Sequence, residues 1–126
     1  MRRNEVRSGF EHKIVSMLKK LKISFEYEPI KIKYVQPAKN RTYTPDFKIG
    51  PLFIEAKGRL TREDRNKLCW IRESNPDMRL VILLQDSTRP LYKGSPTSYG
   101  EWCTKQQFEW ADFSDGIPKE WIKKEK

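Results

Sequence analysis

Cysteine and histidine are scarce in this 126-residue chain, which has two of the first and one of the second. Cys69 and Cys103 lie in no metal-type spacing, so both are expected as free thiols in a reducing compartment. The lone His12 reads as an ordinary helix-face residue, and no serine or cysteine stands in a nucleophile's setting. Long apolar runs are missing too: none approaches the roughly 20 residues needed to span a bilayer. Met1-Arg2-Arg3-Asn4-Glu5 is followed by no apolar core, so no signal peptide is expected. Internal repeats are absent, and low complexity is confined to the lysine-rich end. What remains is the expectation of one soluble domain, long enough for a core but not for two.

Acidic residues are outnumbered. Lysine and arginine total 26 against 17 aspartates and glutamates, a net charge of +9, and 12% of residues are aromatic. That balance suits a polyanionic partner, nucleic acid first, although a merely basic protein has the same composition.

Against this basic background, Tyr43-Thr44-Pro45-Asp46-Phe47-Lys48-Ile49-Gly50-Pro51-Leu52-Phe53-Ile54-Glu55-Ala56-Lys57-Gly58 stands out. It reads as two short strands joined at Gly50-Pro51. Alternation places Glu55 and Lys57 on one face with Ala56 turned away, and Phe47, Ile49, Leu52 and Ile54 on the other. If the turn spans an even number of residues, Asp46 lies directly across from Glu55, with facing Cβ atoms about 4.5–5.5 Å apart. Two facing carboxylates destabilise a purely structural hairpin, and a divalent cation between them reverses that sign. Lys57 then brings a positive charge beside any reacting group. The alternative is a solvated charged edge, since Asp after Pro is common in turns.

Ser8-Gly9-Phe10-Glu11 has capping-box form, and Phe10, Ile14, Met17, Leu18 and Leu21 predict a helix over about 9–21. Glu11 can serve as the reciprocal cap; against the Asp46–Glu55 face it would be a third carboxylate. Residues 1–7 are expected as a flexible basic arm. Phe25–Glu28 and Ile30–Tyr34 alternate apolar with charged residues, a half-buried strand bent at Pro29. Val35–Arg41 lacks a period and reads as a linker. Thr61-Arg62-Glu63-Asp64 caps a second helix that Asn75-Pro76 stops, with Leu68 and Ile71 as its stripe. The unbroken run Leu80–Leu84 predicts a strand covered on both faces, parallel to its predecessor across a helical crossover. Asp86–Gly100 is turn-rich, and its Lys93, Ser95, Thr97 and Ser98 can either donate to a phosphate or form a solvated connector. Ser98 and Glu101 open a short helix to about Gln106. Phe108, Trp110 and Phe113 suggest an edge strand, and Trp121 docks a last helical turn.

Together these residues resemble two nested groups. The element order helix, three antiparallel strands, helix, parallel strand, with Pro45-Asp46 and Glu55-Ala56-Lys57, resembles the PD-(D/E)xK, or restriction-endonuclease-like, α/β superfamily. Within it, Arg7-Ser8-Gly9, Phe25-Glu26-Tyr27-Glu28, Thr42-Tyr43-Thr44-Pro45-Asp46-Phe47 and Leu91-Tyr92-Lys93-Gly94-Ser95-Pro96-Thr97-Ser98-Tyr99-Gly100-Glu101 resemble the phage endonuclease I family. The last of these segments is too long and particular to recur by composition.

The resemblance implies a Holliday-junction resolvase: an endodeoxyribonuclease that hydrolyses phosphodiesters in four-way and other branched DNA. Its catalytic residues fall on Glu11, Asp46, Glu55 and Lys57. Asp46, Glu55, Glu11 and the Ala56 carbonyl would ligate one or two Mg²⁺ ions, with Mn²⁺ as a substitute. Also implied are a homodimer with exchanged elements, a bridge at about residues 34–41, and action in the cytoplasm of an infected bacterium. Two departures stand out: the Asp46–Glu55 turn is one residue shorter, leaving the hairpin register open, and both terminal arms are shorter, so weaker nonspecific DNA affinity is expected. Other readings are a mismatch or restriction-type nuclease on linear duplex and a non-catalytic DNA-binding module. Three acids facing phosphate argue against the module.

Overall fold

The computed structural model describes residues 9–36 and 39–123. In chain order its elements are α1 Gly9–Lys20, β1 Glu26–Tyr27, β2 Ile32–Gln36, β3 Lys39–Tyr43, β4 Phe47–Ile49, β5 Leu52–Lys57, α2 Arg62–Ser74, β6 Arg79–Leu84, α3 Tyr99–Lys105, β7 Glu109–Asp112 and α4 Lys119–Ile122, with a 3-10 turn at Phe113–Asp115. Five strands form one mixed sheet in the order β1-β4-β5-β6-β7. The β1–β4–β5 part is antiparallel, and β5, β6 and β7 run parallel.

The apolar run of β6 explains the layers. Successive side chains of a strand point to opposite faces, so an unbroken apolar strand must be covered on both. Val81 and Leu83 pack with Phe47, Ile54, the α1 residues Phe10, Ile14 and Leu18, and Trp121 of α4. Leu80, Ile82 and Leu84 pack with Leu68 and Ile71 of α2, Cys103 of α3, and Tyr43. Helices therefore cover both faces, a mixed α/β arrangement compatible with an α/β nuclease fold. Among the described residues no helix is long and apolar enough to cross a membrane.

Both caps of the middle helices have the expected chemistry. Thr61 with Asp64 and Ser98 with Glu101 form reciprocal capping boxes at the starts of α2 and α3. These satisfy amide groups that a helix start leaves without partners. The expected basic arm, and Ser8 of the first capping box, lie outside the described residues.

The region before the central hairpin differs from expectation in two respects. Phe25–Tyr34 is not one bent strand: β1 joins the main sheet beside β4, whereas β2 pairs with β3 in a separate two-stranded sheet. The segment expected as an aperiodic bridge is largely that hairpin, with Tyr34 opposite Arg41 and Gln36 opposite Lys39. Lys39-Asn40-Arg41-Thr42 carries no apolar alternation because all four residues are exposed. The hairpin is tied to α2 instead, by the Val35 amide donating to Ser74 Oγ and by Asn75 Nδ2 donating to the Lys33 carbonyl.

One packing detail makes a sharp stability test. A Cβ built on Gly100 would lie 2.7 Å from the Trp110 ring, and that ring is tethered by Trp110 Nε1 donating to Thr104 Oγ1 at 2.9 Å. In an open helix Gly→Ala stabilises by about 1 kcal/mol. Here overpacking decides the sign, so Gly100→Ala is expected to lose about 1–3 kcal/mol in urea denaturation.

Candidate metal centre and active site

The hairpin register is the first thing that builds the site. Phe47 pairs with Ile54, Lys48 with Phe53 and Ile49 with Leu52. One further step of the same ladder sets Asp46 opposite Glu55. Asp46 stands just before β4, and its Oδ2 accepts a 2.9 Å hydrogen bond from the Ala56 amide across the hairpin. The backbone thus holds the carboxylate from β5.

Two further carboxylates reach Asp46. The Asp46 carbonyl accepts the Glu28 amide at 2.8 Å, which straps the end of β1 to the start of β4. Glu28 has a positive φ of 46°, a conformation non-glycine residues seldom adopt and one that costs on the order of 1 kcal/mol. Glu11, in the first turn of α1, arrives from the opposite helical layer. Glu11, Glu28 and Asp46 each offer a carboxylate oxygen, and these oxygens lie within 4.8 Å of one another. The Tyr27 hydroxyl donates to Glu11 Oε1 at 2.6 Å, fixing that side chain.

Glu55 and Lys57 form the other half, on the α2 side of the sheet. Glu55 Oε1 accepts from the Tyr43 hydroxyl at 2.7 Å, and Glu55 Oε2 lies 3.3 Å from Lys57 Nζ. Lys57 also donates to Asp64 Oδ1 at 3.1 Å. Asp64 in turn accepts the Thr61 amide on its other oxygen, so the α2 capping box holds the lysine's partner in place.

Electrostatics mark Asp46 as the strained centre. Burial first, then the charge of Glu55, push its pKa up to about 8; Glu11 adds to this, while the Ala56 hydrogen bond and Lys57 only partly offset it. Burial likewise raises Glu55 above the usual carboxylate range, against the pull of Lys57 and Tyr43. Burial also lifts the Tyr43 phenol, reinforced by Glu55. For Lys57 burial favours the neutral amine, but Glu55 and Asp64 outweigh it, and its pKa is raised. The ammonium therefore stays charged at neutral pH. Asp64 is lowered, because Lys57 and the Thr61 hydrogen bonds outweigh its burial.

An all-oxygen cluster of carboxylates, with Asp46 in it held in its protonated form by burial and by Glu55, is the donor set a hard divalent cation prefers. The structure brings Glu11 and Asp46 together in that cluster, and joins Glu55 to Lys57 beside it; Asp46 couples the halves through its repulsion with Glu55. The Ala56 amide also has a part in the site, because it holds the Asp46 carboxylate.

Four residues escaped the sequence reading. Glu28 passed as the solvent face of a strand, although the following Pro29 was a signal that the strand ends there. Tyr27 passed as an alternating strand aromatic, Tyr43 had no role assigned, and Asp64 passed as part of a helix cap only. Asp64→Asn keeps an oxygen for the Thr61 amide but removes the charge beside Lys57. The expected result is a fall of about tenfold in kcat with little change in thermal stability, checked by single-turnover cleavage and a melting curve.

The chain is 48% identical to Endonuclease I of Escherichia phage T7 over 121 residues, covering 95% of this chain and 80% of the relative. It is 45% identical to Endodeoxyribonuclease 1 of Enterobacteria phage T3 over 107 residues, 84% of this chain and 70% of that one. The Phage endonuclease I family matches residues 1–126. With the whole chain matched and both relatives near half identity, this protein belongs to the phage endonuclease I family.

Proposed function

We propose that this protein is a divalent-metal-dependent endodeoxyribonuclease that acts as a homodimer on branched DNA, four-way junctions above all, in the cytoplasm of an infected bacterium. The observation that carries the reading is the convergence of Glu11, Glu28 and Asp46 at the end of a hairpin whose other strand presents Glu55 and Lys57. The names of the two relatives, an endonuclease and an endodeoxyribonuclease, support DNA as the polymer cut.

Asp46, Glu55 and Glu11 would hold one or two Mg²⁺ ions, or Mn²⁺ in their place, with Glu28 and the Ala56 carbonyl available to complete the set. Bound there, such a cation supplies positive charge that acidifies an attacking water and offsets charge growing on the scissile phosphate. Lys57 places its ammonium beside that phosphate to orient the water and stabilise the phosphoryl oxygens. Tyr43 and Asp64 keep Glu55 and Lys57 from rotating away. Hydrolysis needs no covalent enzyme intermediate, and the net charge of +9 draws the polyanion in. For the homodimer, the β2–β3 hairpin is the element to exchange, since its pairing can be made between chains with the same contacts.

A denaturing gel tests the reading. The protein is incubated with a labelled four-way junction and with its linear arms, in Mg²⁺ or in EDTA. Junction cleavage in Mg²⁺ that EDTA abolishes, with much slower cutting of the arms, is expected. Equal cutting of the arms would point to a linear-duplex nuclease, and tight binding without cutting to a DNA-binding module.

A further inference from the structure

The Leu91–Thr97 loop, between β6 and α3, has no part in the site just described, yet it is built rigidly and close to it. The Leu91 amide donates to the Thr97 carbonyl at 3.0 Å and the Ser95 amide to the Tyr92 carbonyl at 2.9 Å. Ser95 Oγ bonds both the Thr97 carbonyl and the Thr97 amide at 3.1 Å, and Ser98 Oγ accepts from the Glu101 amide. The Ser95 hydroxyl, a candidate for donating to a phosphate by sequence, thus donates to the loop itself. Gly94, at φ 84°, closes the turn where a side chain would be strained.

This scaffold presents an aromatic ring to solvent. Tyr92 is 63% exposed, the most exposed large apolar residue among those described, and its ring belongs to neither hydrophobic cluster. A single exposed apolar residue needs no explanation on its own. Here, however, exposed Lys93 follows it in the chain, and exposed Arg89, with its guanidinium 5.9 Å from the Tyr99 ring centroid, stands three residues before it. Leu91 anchors the loop in the same cluster as Tyr43 and Leu60, the layer to which Glu55 and Lys57 project. Arg89 Nη1 donates to the carbonyl of Gly58, the residue after Lys57, at 3.3 Å. An exposed aromatic ring with two exposed cations within three residues of it in the chain, on a locked loop tied to the residue after Lys57, is the chemistry that stacks on a nucleobase while holding phosphates.

We propose that Tyr92 is a branch-reading residue: its ring stacks on the base exposed at the point where duplex arms part, with Lys93 and Arg89 on the flanking phosphates. The proposal rests on the reading of this protein as a nuclease of branched DNA. A continuous duplex buries both faces of its internal bases and offers no such platform, so Tyr92 contributes to junction affinity and hardly at all to duplex affinity. Lys93 and Arg89 contribute to both, through charge.

The test measures affinity for a four-way junction and for a linear duplex of equal length, in EDTA so that no cutting occurs. Wild type, Tyr92→Phe, Tyr92→Ala and Lys93→Ala are compared at one salt concentration. Tyr92→Ala is expected to lose about tenfold in junction affinity and less than twofold in duplex affinity. Tyr92→Phe, which keeps the ring, should match wild type, and Lys93→Ala should weaken both substrates together. Melting curves show whether each variant is folded. A Tyr92→Ala protein that is folded and keeps its junction preference overturns the proposal, as does equal loss on both substrates. Cleavage by wild type in Mg²⁺, run alongside, judges the nuclease reading separately: junction cutting with an unchanged Tyr92→Ala preference sinks only this inference.

Discussion

Replacing Asp46 with asparagine should abolish cleavage, by about 10³-fold or more, while junction binding is retained or strengthened. The variant should also be the more stable protein in the absence of metal. Asp46 is held by the Ala56 amide between Glu55 on one side and Glu11 on the other, with its pKa raised from 3.8 to about 8. A carboxyl group whose folded-state pKa lies above its unfolded value binds more protons when folded. The contribution of Asp46 to metal-free stability should therefore be greatest below about pH 4 and decline as pH rises toward about 8. Asparagine removes that titration, so Asp46→Asn should exceed wild type by on the order of 2 kcal/mol at pH 8 and match it near pH 4. Saturating Mg²⁺ should restore wild type and leave the variant unchanged. Urea denaturation at the two pH values, with and without metal, measures all three. A variant that cuts at near the wild-type rate, or that gains nothing in stability at pH 8, would count against the cation site.

The second large effect concerns the proposed homodimer. Within one chain Glu11 precedes the β2–β3 hairpin and Asp46 follows it, and the two carboxylates come together. If the hairpin is exchanged in a homodimer, each site takes Glu11 from one protomer and Asp46, Glu55 and Lys57 from its partner. Homodimers of Glu11→Ala and of Asp46→Ala should both be inactive. In a heterodimer with one substitution on each chain, exchange gathers both defects into one site and leaves the other intact. That heterodimer should nick one strand of a junction, a gain of about 10³-fold over either homodimer. Sites built from single chains would give two broken centres and no nicking. Co-expression with different tags supplies the heterodimer, because exchanged chains need not reassort once folded.

The parts of the molecule that were legible in its sequence are those where local chemistry and burial agree. Gly50, at φ 56°, makes the turn, and the apolar alternation on either side of it made the two strands and the face shared by Glu55 and Lys57 legible, while the register that sets Asp46 across from Glu55 came from the strand pairing. The two-faced burial of Leu80–Leu84 likewise predicted a central strand. What could not be read were features created only by tertiary contact. Lys39–Thr42 is extended because β2 and α2 hold it, not because its own residues favour a half-buried strand. Glu28 alternates correctly with Glu26, yet the chain leaves the sheet before Pro29, and the Asp46 carbonyl captures the Glu28 amide and aims its carboxylate inward. Asp64 satisfied a complete local explanation as a cap, which concealed its contact with Lys57 from the neighbouring strand.

The central claim is that the cluster around Asp46 binds a divalent cation, and calorimetric titration tests it most directly. Metal-free wild type and Asp46→Asn would be titrated with Mn²⁺ at pH 7 in buffers of different ionisation enthalpy. With the Asp46 pKa near 8, binding must displace its proton, so wild type should release about one proton per chain, and Asp46→Asn should neither bind comparably nor release it. Equal affinity in the two proteins, or no binding by wild type, would contradict the account.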